Sequence, residues 1–287
     1  MRPDSRFVDM SPPFWANVRT IGQEVGYTVR GGNAVRVPSM DEVRAAYERI
    51  GMSTSHLLPR GDLTRLGRSL QEYLAYRAET LNNHVEPRLM DARRASEVFR
   101  ELRAKMRPKC PLPMNKQKGR KKTRAYLTGI VNMLVEANCD GLPVDYDPRQ
   151  LTTVTSDGAP LRTLSRRLDG GFPSAVNPVA VWEIKEYYHT TTFGSRVADG
   201  VYETLLDGME LQELARAHGI KVEHVMMIDA HFTWWQCGKS YLCRVFDMLH
   251  MGYVDEVLFG YEVVESLPQI VRRWVSAEKA RCRRSSP

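Results

Sequence analysis

At positions 168–188 the chain reads LDGGFPSAVNPVAVWEIKEYY. Val179 to Trp182 is an apolar run of strand length, preceded by Pro178 and followed by Glu183, Ile184 and Lys185. A strand alternates its faces, so Glu183 and Lys185 point to one side and Ile184 to the other, toward a core. Fourteen residues before Glu183 stands Asp169. Gly170 and Gly171 suit a turn, but Asp169 also falls where a strand neighbouring that of Glu183 would end. Two carboxylates and an ammonium brought together make a site for a hard cation and an activated water.

Downstream, the pattern alternates. A helix over SRVADGVYETLLDGMELQELARAHG is closed by Gly219. VEHVMMIDAHF reads as a buried strand, GKSYLCRVFDMLHMG as a helix, VDEVLFGYEVVE as a strand and LPQIVRRWVSAEKARCRR as a last helix. Upstream, TRAYLTGIVNMLVEAN carries a helical apolar stripe, with Glu136 near its C-terminal end. QLTTVTSDGAPLRTLSRRLD reads as two strands about Ser156-Asp157-Gly158, which makes Asp157 a turn residue. From Arg124 the order is helix, three strands, helix, strand, helix, strand, helix. That order predicts an α/β fold, a mixed central sheet flanked by helices.

The first third is mostly helical. Helices are expected over 13–26, after a capping box at Ser39 and Glu42, after Gly61-Asp62, and over 88–106. TVRGGNAVRVP suggests a hairpin between them. The expected division is a helical region over 1–108, serving recognition or dimerisation, and a catalytic domain over 109–287.

Between Arg103 and Arg124 lie ten basic residues and no acidic one, among them Lys116, Lys118, Arg120, Lys121, Lys122 and Arg124. Such charges repel unless an anion neutralises them, and phosphate backbone is the obvious one. The bland alternative is a solvated linker. The net charge of +7 leans the same way as the nucleic-acid reading. No run approaches the length of a membrane span. Five cysteines without a CxxC pair point to neither a zinc ribbon nor a disulfide framework, and a reduced, cytoplasmic setting is expected. His224, His231 and His250 have no zinc-hydrolase spacing, and Gly238-Lys239-Ser240 imitates only the end of a phosphate loop. Trp234 and Trp235 suit either base stacking or a core.

Asp169 followed by Glu183-Ile184-Lys185, within this order of elements, resembles the PD-(D/E)XK nuclease superfamily over about residues 120–265, most nearly its type II restriction endonucleases. Leu168 stands where the motif's name has proline. The resemblance implies a magnesium-dependent, sequence-specific double-stranded DNA endonuclease, usually a homodimer. Asp169, Glu183 and the Ile184 carbonyl would be metal ligands and Lys185 the catalytic lysine; Glu136 matches more loosely a glutamate on the preceding helix. Tyr188 and His189, directly after the catalytic strand, and Arg196 on the next helix are expected to meet DNA. The alternatives are a repair or junction-resolving nuclease and a DNA-binding regulator without catalysis.

Overall fold

The computed structural model describes residues 1–29, 32–115, 123–189 and 194–285. Four helices come first: α1 (Pro12–Glu24), α2 (Met40–Arg49), α3 (Arg65–Thr80) and α4 (Ala92–Met106). Local chemistry starts three of them. The Ser39 hydroxyl accepts from the Glu42 N–H while the Glu42 carboxylate accepts from the Ser39 N–H, the Thr64 hydroxyl accepts from the Gly67 N–H, and Asp91 accepts from the Arg94 N–H. Each satisfies backbone donors that a helix start leaves open.

After α5 (Tyr126–Asn138) come β1 (Asp145–Tyr146), β2 (Thr153–Ser156), β3 (Ala159–Thr163), β4 (Gly170–Phe172) and β5 (Ala180–Glu186). Then α6 (Ser195–His218), β6 (Glu223–Asp229), α7 (Lys239–His250), β7 (Glu256–Phe259) and α8 (Glu262–Ser285) alternate. The main sheet has the order β1-β4-β5-β6-β7, with β4 antiparallel to its neighbours and β5, β6 and β7 parallel. β2 and β3 form a separate hairpin about Asp157 and Gly158, both at positive φ. The expected α/β architecture is therefore present: a helical N-terminal region and a mixed sheet flanked by helices.

Alternation along the strands divides the core. Ala180, Trp182 and Ile184 of β5, with Val225 and Met227 of β6, pack under α5 and α8. Val181 packs with Leu211 and Leu214 of α6, while Met226, Ile228, Val257 and Phe259 pack under α7 and the N-terminal helices. Both faces of the sheet are covered, as parallel strands require.

Three expectations change. Five strands, not three, lie between α5 and α6, because β1 and β4 are too short to leave a periodic signature. The two short strands expected over 28–38 reduce, among the described residues, to one antiparallel bridge, Thr28 to Val35, while Arg30 and Gly31 at the turn lie outside the described residues. The Asn82 side chain instead accepts from the Val35 N–H and donates to its carbonyl, doing a partner strand's work. The strand expected through Glu265 stops at Phe259; Gly260 at φ 55 turns the chain, and a Cβ there would meet the Arg88 carbonyl oxygen at 2.0 Å.

Candidate active site at the end of the central strand

β4 ends while β5 continues, and the site occupies that step. The last pair, Gly170 opposite Trp182, brings position 169 opposite 183 at the next step. Asp169 Oδ2 accepts the Ile184 N–H at 2.8 Å, where no further β4 residue pairs. In a strand the N–H and C=O of one residue point the same way, so the Ile184 carbonyl faces that edge too. The Tyr187 N–H and the Val179 carbonyl point oppositely, bonding toward β6. Glu183 and Lys185 lie on the β5 face that meets α6, and Lys185 Nζ donates to Glu183 Oε2 at 2.6 Å.

Arg166, on the loop before β4, completes the arrangement. Its Nη1 reaches Glu183 Oε1 at 2.8 Å and Asp207 Oδ2 at 2.6 Å, and its Nη2 reaches Glu203 Oε2 at 3.3 Å. Glu203 also lies 3.4 Å from Lys185 Nζ. Glu203, Asp207 and Glu210 share one face of α6 at helical spacing. Glu210 anchors the loop by accepting from the Ser165 N–H and hydroxyl at 3.0 and 2.8 Å. Gly200 lets the helix approach, since a Cβ there would sit 3.2 Å from Lys185 Cδ.

Burial alone would push the Glu183 carboxyl up, but Lys185 and Arg166 more than offset it and hold it below its ordinary range. Burial would likewise lower Lys185, yet Glu183 and Asp169 raise it, so its nitrogen stays an ammonium. Asp207 differs: burial pushes it up to about 7 against the pull of Arg166, and its Oδ1 is buried without a hydrogen-bond partner.

Arg166, Asp169, Glu183, Ile184 and Lys185 line a cleft of about 590 Å³ with Asn132, Tyr146, Asp147 and Arg149. One wall is a small antiparallel stem. Met114 bridges Arg124, the Asn115 N–H donates to the Thr123 carbonyl, and the Ala125 N–H donates to that of Pro113. The stem leads into Lys116, Lys118, Arg120, Lys121 and Lys122, which lie outside the described residues. Arg124 is part of the stem itself, donating to the Leu112 carbonyl at 2.8 Å.

Asp169, Glu183, Ile184 and Lys185 thus come together, and other expected residues do not. Glu136 sits at the far end of α5, accepting from the Lys109 N–H at 3.0 and 3.1 Å, and does not line the cleft. The first turns of α5 present Thr128 and Asn132 there instead. Tyr188 turns inward, its hydroxyl donating to Asp229. His189 packs near Tyr126 with ring centroids 6.2 Å apart, and Arg196 is exposed at the start of α6 outside the cleft lining. Trp234 and Trp235 are buried in the core. Arg166, Glu203 and Asp207 escaped the sequence reading. The one available signal was Gly200 inside a long helix, where glycine is unfavourable unless something must come close.

Among the described residues no three His, Cys, Asp or Glu side chains converge on a cation site. The donors on hand are the carboxylates of Asp169 and Glu183 and the Ile184 carbonyl. That set fits magnesium, which takes one or two carboxylates and fills its remaining positions with water and substrate phosphate.

The chain belongs to the DUF7687 family, a domain of unknown function whose model matches residues 90–274. Residues 1–84 match a second domain of unknown function, DUF7690. No curated protein and no solved structure matches the chain.

Proposed function

We propose that this DUF7687 chain is a magnesium-dependent endonuclease of the PD-(D/E)XK kind, cutting double-stranded DNA at specific sequences as type II restriction enzymes do. The observation that carries the reading is the step between β4 and β5, where Asp169, Glu183, the Ile184 carbonyl and Lys185 share one edge of a cleft. Element order supports it: α5, β1, β4, β5, α6 and β6 follow in sequence, with β4 and β5 antiparallel and β5 and β6 parallel.

Asp169, Glu183 and the Ile184 carbonyl would hold the ion. Bound there, magnesium would make a water acidic enough to act as a nucleophile at neutral pH. The chain's own groups account for the rest. Lys185, kept charged by its carboxylates, stabilises the negative charge that builds on the attacked phosphate and is not a free base. Asp169 anchors the β5 edge through the Ile184 N–H, which fixes the carbonyl beside it. The basic stretch rooted at the stem supplies phosphate contacts along the duplex. A homodimer would match a two-fold symmetric site.

Among the described residues no helix is long and apolar enough to cross a membrane. The five cysteines, all among the described residues, form no disulfide, which suits work on DNA in the reducing cytoplasm.

Lys185→Ala and Glu183→Ala should each abolish nicking of plasmid DNA in magnesium, by at least about a hundredfold, while a gel-shift assay still detects binding. Cleavage at the wild-type rate by both would remove the site assignment. Tight, steeply salt-dependent binding with no cleavage by the wild type would leave a regulator.

A further inference from the structure

Arg166 is not one of the residues of the ExK pattern, yet it is bound more closely to Glu183 than any other cation except Lys185. Its guanidinium bridges two carboxylates whose side chains are fully buried, Glu183 and Asp207, and its own side chain is 24% exposed toward the cleft. The loop beneath it is pinned by Ser165 on Glu210, so the backbone is fixed and the side chain is the movable part. Asp169, Glu183, Glu203 and Asp207 surround Arg166 and Lys185, so carboxylates outnumber the cations that hold them.

We propose that Arg166 is a positioning residue and exchangeable counter-cation: it holds Glu183 in the metal-free protein and yields it to the divalent cation, while Asp207 and Glu203 retain the guanidinium. The proposal rests on the metal-site reading above and adds a competition within it. Glu183 Oε1 cannot point at both Arg166 Nη1 and a metal in the step beside Asp169. Asp207 gives the displaced guanidinium a partner, so exchange strands neither charge. A purely structural Arg166 would support the site, and its loss would weaken metal binding. An exchangeable one opposes the metal, and its loss strengthens binding.

The experiment is calorimetric titration of the DNA-free protein with Mn²⁺, comparing wild type, Glu183→Gln, Arg166→Met and the double variant Arg166→Met/Asp207→Asn. The double variant removes both partners and so leaves no buried carboxylate unpaired, and circular dichroism verifies its fold. Wild type should bind, Glu183→Gln should lose binding, and both Arg166 variants should bind at least threefold more tightly. Equal or weaker binding by the folded double variant, with wild type binding through Glu183, overturns the exchange and leaves the metal site standing. No binding by wild type removes the metal site and the exchange with it.

Discussion

Asp229 closes β6 and is fully buried, with three donors converging on it. Oδ1 accepts from the Met90 and Ala230 N–H groups at 2.8 Å each, and Oδ2 from the Tyr188 hydroxyl. Burial outweighs these donors and pushes the carboxyl from 3.8 up to about 7. The folded chain then holds a proton that the unfolded chain has released, and this difference exists between about pH 4 and pH 7. Stability from this group is complete at the acid end of that window and falls as pH rises through 7. Glu186, pushed up to about 7 by burial despite bonds from the Tyr126 and Thr128 N–H groups, acts with the same sign. Asn at 229 keeps the acceptor for both N–H groups and offers an amide to Tyr188. Urea unfolding of wild type should show a lower free energy at pH 8 than at pH 5. Asp229→Asn should shrink that difference by about 1 kcal/mol or more, and an identical pH dependence in both proteins would refute the assignment. At this scale the sequence reveals residues joined by strand alternation, such as Glu183 and Lys185. It hides Arg166 and Asp207, which reach the site from a loop and a helix 17 and 24 positions away from Glu183.

Among elements, the β4–β5 pair fixes the site, and its glycines work through packing. A Cβ on Gly170 would lie 2.0 Å from the Trp182 ring, which stacks on Trp274 at 5.7 Å and 5°. The ring is fully buried between strand and α8 and has nowhere to move. Gly170→Ala should therefore cost about 1–3 kcal/mol and shift Asp169, the neighbouring residue. A drop in the thermal midpoint together with lost cleavage is expected; unchanged stability would mean that the strand adjusts freely. The glycine pair reads in sequence as a turn signal, and only the indole behind it makes it a strand.

Across the whole molecule, the N-terminal helices and the sheet share a core. Phe14, Val18, Ile21, Leu70 and Tyr73 cluster with Phe246 and Leu249 of α7. An ion pair is buried in the same layer. Arg77 Nη1 bonds both oxygens of Asp247 at 2.9 and 3.0 Å, and the Tyr73 hydroxyl donates to Oδ1 at 2.6 Å. Removing one partner strands a buried charge. Arg77→Met should destabilise the protein by about 3–5 kcal/mol, read from the urea midpoint, and Arg77→Met/Asp247→Leu should recover much of it. A single variant as stable as wild type would show that this contact does not couple the two regions.

The sequence by itself determined the helices with caps, the buried strands of the second half, the α/β class and the placement of Glu183 and Lys185 on one face. These follow from period, capping chemistry and short-range sterics, which act within a few residues. Tertiary structure decided that β4 begins one residue after Asp169 and so faces it toward Glu183. It also turned Tyr188 inward and set Arg166 between Glu183 and Asp207. Each depends on which distant segment fills the neighbouring space, and packing and charge pairing across the chain leave no local pattern from which to read that.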